Sequence, residues 1–132
     1  MKNYLLDSHA LLWYFGGDAE LPVPAREAIA DTDNSIFVSI ASIWEIAIKH
    51  SLGKLDLPRP FDDLEPSVRN EGFELLPLEA EEIKTLVKLP FHHKDPFDRL
   101  LIAQSLTYFY PIIGRDNIFD DYGVQRFWAS FV

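Results

Sequence analysis

The sequence predicts an α/β fold in which helices cover both faces of a central, mostly parallel β-sheet. Short apolar segments of strand length alternate along the chain with longer segments of helical character, and no repeat, linker or low-complexity tract interrupts them. Such alternation is typical of parallel sheets, because each crossover places a helix against a face of the sheet. With 132 residues, the chain is long enough for one domain, residues 1–132, with its own hydrophobic core.

The first half of the chain is predicted to contain two strands and three helices. The apolar segment Tyr4–Leu6 is the first strand, and Ser8 can cap a short helix that follows it. Pro24 suits the first turn of a second helix. The segment Ser35–Val38 is the second strand, and the long apolar run Ile40–Ser51 is a strong third helix.

The second half repeats this alternation. Three further strands are expected at Phe73–Leu76, Pro111–Gly114 and Val124–Phe127. Three helices are expected at Pro60–Asn70, Ala80–Lys88 and Asp95–Tyr108. The last of these begins with an Asp-Pro pair, in which the aspartate caps the helix and the proline occupies its first position.

Composition and charge exclude several classes of protein. The chain has no cysteine, which rules out disulfides, thiolate metal sites and cysteine nucleophiles. The apolar run after Lys2 is broken too early by Asp7 for a signal peptide, and no segment approaches the ~20 apolar residues of a membrane span. We therefore expect a soluble, cytoplasmic protein. The net charge of −9 argues against non-specific nucleic-acid binding, unless clustered carboxylates bind divalent cations.

Two aspartates follow predicted strands. Asp7 comes directly after the first strand, and Asp116 follows the fourth. Because ligands bind at the carboxyl ends of parallel strands, both side chains are candidates for a site at one edge of the sheet. Each also has a structural alternative, as a helix cap or a turn residue.

Two further acids lie on predicted helices. Glu45 is surrounded by apolar neighbours, but its spacing from Ser42 and Lys49 also fits a solvated helix face, which from position alone is the favoured interpretation. Asp98 lies in the first turn of the last helix, three residues after Asp95, where it either supports the cap or faces the sheet edge.

The four acids are more informative together than singly. Asp7, Glu45, Asp98 and Asp116 all lie at strand ends or near helix starts, which one parallel sheet can bring together. Grouped carboxylates repel one another, and hard cations such as Mg²⁺ or Mn²⁺ relieve that repulsion. A site of this kind can activate water and stabilise the charge of a transferring phosphoryl group.

Four segments carry a family resemblance. In chain order, Leu5–Trp13, Val38–Lys49, Asp95–Gln104 and Ile113–Asp116 resemble the successive motifs of PIN domains, and the chain is similar to VapC-type toxins of toxin–antitoxin pairs. One departure is Gly114, where the family often has serine or threonine, so that a hydroxyl near Asp116 is missing.

The resemblance implies a three-layer α/β/α sandwich and a Mg²⁺-dependent endoribonuclease, with Mn²⁺ as a plausible substitute. Asp7 and Asp98 would be the principal metal ligands, Glu45 would complete the site, and Asp116 would hold a second ion or a water. The resemblance also implies an RNA substrate, a homodimer and inhibition by a VapB-like antitoxin protein.

Other interpretations remain open at this stage. A non-catalytic module with the same fold could use the acidic surface to bind a basic protein partner. Haloacid dehalogenase-like phosphatases need an acid two residues after the first aspartate, where this chain has His9. Receiver domains need paired acids near the first strand and a late lysine, a pattern that Arg115 and Asp116 do not supply.

Several neighbouring side chains have two interpretations. Ser8 either caps a helix or donates a hydrogen bond to a site carboxylate, and Arg99 either binds phosphate or pairs with an acid. His92 and His93 are expected to be solvated loop residues. The tryptophans are expected to pack in the core or an interface, although they could stack on bases.

Overall fold

The computed structural model describes residues 1–130 and confirms the α/β prediction. Its five strands form one sheet in the order β3-β2-β1-β4-β5, and every pair of neighbours is parallel. The strands are β1 Asn3–Leu6, β2 Ser35–Ser39, β3 Glu74–Leu76, β4 Ile112–Ile113 and β5 Arg126–Phe127. All five lie where the sequence places them.

The helices also follow the predicted order. They are α1 Ser8–Gly16, α2 Val23–Ala30, α3 Ile40–Ser51, α4 Leu64–Asn70, α5 Ala80–Val87 and α6 Pro96–Tyr108. The predicted helix Pro60–Asn70 is wrong in its first part, which is a 3₁₀ turn at Phe61–Asp63. Pro66 has no N–H to donate toward Asp62, so a continuous α-helical ladder cannot run through this segment.

The alternation of side chains along the strands creates two cores and three layers. Tyr4 and Leu6 of β1 pack in one core, beneath α1 to α4, whereas Leu5 packs in the other with residues of α6. Ile113 and Ile112 of β4 divide between the two cores in the same way. This period of two is what a strand buried on both faces requires, and it gives the α/β/α sandwich.

The sheet places its carboxyl edge at the start of several helices. The central strand β1 ends immediately before Asp7, whose backbone N–H donates to the carbonyl of Ile113 in β4 at 3.1 Å. Strand β2 ends at Ser39, which caps α3 by accepting a hydrogen bond from the N–H of Ala41. In the described part of the chain, no helix has the length and apolar character needed to cross a bilayer.

Candidate active site

Asp7 lies at the middle of the carboxyl edge and is buried. Its Oδ1 accepts a hydrogen bond of 2.7 Å from the backbone N–H of Ala10, so the carboxylate caps α1. The cap and the site position are therefore compatible. Among residues 1–130, no group donates a hydrogen bond to the other oxygen, Oδ2.

The other three predicted acids surround Asp7. The pKa of Asp7 is raised from 3.8 to about 7, chiefly by burial; the hydrogen bond from Ala10 opposes this rise, and the negative charges of Asp98, Glu45 and Asp116 add to it. The structure therefore brings the other three acids within electrostatic range of Asp7. Their mutual repulsion is the cost that a bound cation would remove.

Glu45 is buried, so the interpretation of this residue as part of a solvated helix face was wrong. The side chain turns inward because two partners stabilise its carboxylate. Ser8 donates to Oε1 from its hydroxyl at 2.9 Å, and Lys49 contacts Oε2 at 2.7 Å. Ser8 therefore serves as a donor to a site carboxylate, while Asp7 caps the helix.

Asp98 lies in the first turn of α6, which Asp95 caps by accepting from the backbone N–H groups of Phe97 and Asp98. Nε2 of His93 lies 2.8 Å from Oδ2 of Asp98. Burial raises the pKa of Asp98 to about 6, while the hydrogen bond from His93 opposes that rise. His93 is thus a site residue that the sequence analysis assigned to solvent.

Asp116 is exposed and caps a 3₁₀ helix at Asn117–Tyr122. The cap agrees with the alternative role considered for this residue, whereas the 3₁₀ helix itself was not predicted. Its Oδ1 accepts from the N–H of Ile118 at 3.0 Å. A depression of about 540 Å³ connects this residue with the buried carboxylate; its lining residues are Asp7, His9, Arg115, Asp116, Asn117 and Arg126.

The donor set suits a divalent cation, although the acids are not drawn into a closed cage. In the described residues, no three acidic or histidine side chains form a group that could hold a metal ion as they stand. Asp7 and Asp98 nevertheless have raised pKa values, and within residues 1–130 Oδ2 of Asp7 accepts no hydrogen bond. Carboxylate oxygens are the ligands that Mg²⁺ and Mn²⁺ prefer, so the chemistry of these residues fits such an ion.

Gly114 bears directly on Asp7. A Cβ atom at this position would lie 2.6 Å from Oδ2 of Asp7 and 3.2 Å from the ring of Phe119. The missing side chain, first noted for its proximity to Asp116, thus leaves room for the Asp7 carboxylate. The sequence alone could not reveal this contact, because the two residues meet only across the β1–β4 pair.

Within residues 1–130, Arg99 binds no acid, and its side chain is buried. Its guanidinium is buried and donates to the hydroxyl of Tyr122 and to backbone carbonyls. The carbonyls are those of Leu86, Leu89, Pro90 and His93. Because Tyr122 also accepts from the N–H of His93 at 2.9 Å, this network fixes the loop that carries the histidine to Asp98.

These features define a parallel α/β protein with an acidic site at the carboxyl edge of its sheet. The PIN domain family model matches residues 4–125. The chain therefore belongs to the PIN domain family.

One curated relative matches a short part of the chain. Over 35 residues, the chain is 54% identical to Ribonuclease VapC16 of Mycobacterium tuberculosis, a match that covers 26% of this chain. The match covers 25% of the length of that curated relative.

Solved structures show the fold. VapBC2 from Rickettsia felis, bound to a DNA fragment from its promoter, matches with a TM-score of 0.72 and 11% identity over 98% of this chain and 99% of that one. FitAB bound to the IR36 DNA fragment matches with a TM-score of 0.63 and 14% identity, over 94% of this chain and 93% of that one. A toxin–antitoxin complex from Klebsiella pneumoniae matches with a TM-score of 0.57 and 17% identity, over 86% of this chain and 87% of that one.

Proposed function

We propose that this protein is a Mg²⁺-dependent endoribonuclease that acts as the toxin of a toxin–antitoxin pair. The observation that carries the proposal is the buried carboxylate of Asp7, with a pKa near 7, among three further acids at the carboxyl edge of a PIN-type sheet. Such an arrangement is costly without a cation and suits phosphodiester hydrolysis with one. Mn²⁺ would satisfy the same oxygen ligands.

The chain's own residues have distinct roles in this proposal. Asp7 and Asp98 hold the cation, and Glu45 completes the site from α3. Asp116, which is exposed, orients water or a second ion. A bound Mg²⁺ supplies neutralisation of the phosphate charge and activation of water. Ser8 fixes Glu45, and Gly114 leaves room for the Asp7 carboxylate.

The proposal extends to partners. The relatives with similar folds include toxin–antitoxin complexes, so we assign this chain a VapB-like antitoxin as its inhibitor and a cytoplasmic setting. An acidic site also suits inhibition by a basic side chain of that partner. We further assign a homodimer, for which an exposed apolar stripe on α3 provides a surface.

Cleavage of total bacterial RNA by the purified protein, with RNA ends mapped, tests the proposal. We expect discrete cuts with Mg²⁺ and none with EDTA, and a loss of about a hundred-fold or more in Asp7→Asn and Asp98→Asn. Asp33→Asn is the matched control, because Asp33 is exposed before β2, at the opposite edge of the sheet. Equal cleavage by Asp7→Asn and the wild type would refute the assignment.

The competing candidate is a non-catalytic PIN module that binds a basic protein. Its supporting observation is the net charge of −9, which favours a basic partner over a polyanion. Calorimetric titration with Mg²⁺ and Mn²⁺ separates the two functions. Absence of binding to the isolated protein would favour the module, whereas binding that Asp98→Asn abolishes favours the nuclease.

A further inference from the structure

His9 lies where three surface depressions meet. It lines the depression that contains Asp7 and Asp116, a second of about 240 Å³ that contains Glu45 and Lys49, and a third of about 570 Å³ between α1 and α4. Its side chain is exposed, in contrast to the buried residues on either side of it. The imidazole is therefore an accessible aromatic surface beside the carboxylates.

One face of the His9 ring packs against another aromatic side chain. Trp13, one turn later on α1, stacks against it with ring centroids 5.3 Å apart and an angle of 24° between the planes. Trp128 packs against Trp13 at 6.0 Å. The imidazole is thus ordered before any ligand arrives, which lowers the entropic cost of stacking a planar group on it.

Two cations flank this ring. Lys49 lines the depression that His9 shares with Glu45, and Arg115 lines the one that His9 shares with Asp7 and Asp116. Each cation therefore lies beside the imidazole, in a different depression. Arg115 also lies over Trp13, with its guanidinium carbon 4.8 Å from the ring centroid.

We propose that His9 is a stacking platform for a nucleobase of single-stranded RNA whose neighbouring phosphate lies at the cation site proposed for Asp7 and Asp98. Lys49 and Arg115 then face the phosphates on either side of that nucleotide. Aromatic platforms beside cations are the usual means of binding single strands without sequence preference. The platform also explains how a chain of net charge −9 binds a polyanion: the few cations it needs are placed around one ring.

This inference rests on the proposed function, and its test measures RNA binding separately from cleavage. Fluorescence anisotropy with a short, fluorescein-labelled single-stranded RNA of random sequence is measured on the otherwise wild-type chain with Ca²⁺ in place of Mg²⁺, because Ca²⁺ also takes carboxylate oxygens as ligands. We expect His9→Ala to weaken binding about ten-fold. His9→Phe keeps a planar ring and loses both nitrogens, so it should restore affinity to within about two-fold.

Phe109→Ala is the matched control, because that aromatic ring is 89% exposed at the end of α6 remote from Asp98. Unchanged affinity in His9→Ala would overturn the platform while leaving wild-type cleavage intact. Equal losses in His9→Ala and His9→Phe would also overturn it, in favour of a role for the ring nitrogens. Absence of RNA binding by the wild-type chain would also overturn the platform, and cleavage assayed with Mg²⁺ then decides the proposed function separately.

Discussion

The carboxylate of Asp7 meets two requirements through its two oxygens. Oδ1 caps α1, and Oδ2 lies against Gly114, facing the site. The position of Asp7 after an apolar strand made it a candidate both for a site and for a helix cap. It could not reveal the burial of the side chain, nor the charges of Glu45 in α3 and Asp98 in α6 that help to raise its pKa from distant parts of the chain. Likewise, the inward orientation of Glu45 follows from Ser8, a partner 37 residues away.

Replacement of the Asp7 carboxylate should stabilise the metal-free protein at high pH. Because the pKa of Asp7 is about 7 in the folded state, the folded chain holds more protons than the unfolded one between about pH 4 and 7. Wild-type stability therefore falls as the pH rises through this window. Asp7→Asn keeps a capping side chain without the charge, and we expect up to about 4 kcal/mol of added stability at pH 8.

Urea unfolding in EDTA at acidic and alkaline pH measures this effect. The gain of Asp7→Asn over the wild type should be larger at pH 8 than at pH 5, and addition of Mg²⁺ should stabilise only the wild type. Asp33→Asn, an exposed acid, should show neither change. A variant less stable than the wild type at pH 8 without metal would contradict the electrostatic explanation.

Gly114 offers a second test at the same scale. In Gly114→Ala the new methyl group would meet Oδ2 of Asp7 at 2.6 Å, so the carboxylate or β4 must move. We expect kcat/KM for RNA cleavage to fall by between about ten-fold and a hundred-fold. In the control Gly16→Ala, the added Cβ meets nothing within 4 Å, and cleavage should be unchanged. Full activity of Gly114→Ala would show that this close approach is unimportant.

Among the elements, α6 was predicted correctly because its start is marked by local chemistry, the Asp95 cap and Pro96. The role of the segment before α6 was not predicted, because no local sequence pattern indicates that His93 contacts Asp98. Its conformation depends on Arg99, which reaches back to carbonyls along the preceding loop. A buried arginine that binds carbonyls leaves no spacing pattern in a sequence, unlike an ion pair on a helix.

Removal of this arginine should loosen the loop and destabilise the fold. Arg99→Ala leaves several carbonyls and the Tyr122 hydroxyl without their donor, and we expect a loss of about 2–4 kcal/mol in urea unfolding. Arg69→Ala is the control, since the pair of Arg69 with Glu65 is exposed, and it should cost less than about 1 kcal/mol. Similar losses in the two variants would mean that the Arg99 network contributes little.

For the whole molecule, the alternation of strands and helices was sufficient to predict a parallel sheet with two covered faces. The strand order with β1 at the centre was beyond sequence reasoning, because pairing of β1 with β4 joins segments about a hundred residues apart. That order is what brings Asp7 and Gly114 together. The division of residues 60–70 into a 3₁₀ turn and an α-helix was also not predicted, although Pro66, which lacks an N–H, could have indicated it.

The outer surface leads to a prediction about assembly. Ile40, Trp44 and Ile48, spaced four residues apart on α3, are exposed by 39%, 51% and 40%. An apolar stripe of this kind favours association of two copies. Light scattering coupled to size exclusion should give a dimer for the wild type and a monomer for Trp44→Glu, while Phe109→Glu stays dimeric. A monomeric wild type would refute the homodimer.

Diffraction from crystals soaked in Mn²⁺ tests the central claim most directly, because Mn²⁺ scatters anomalously and accepts the same oxygen ligands as Mg²⁺. If the acids at the carboxyl edge form a metal site, an anomalous peak should lie between the carboxylates of Asp7 and Asp98, and it should disappear in Asp98→Asn crystals. Saturating Mn²⁺ with no peak at these carboxylates, or with peaks only at remote surface acids, would contradict the account.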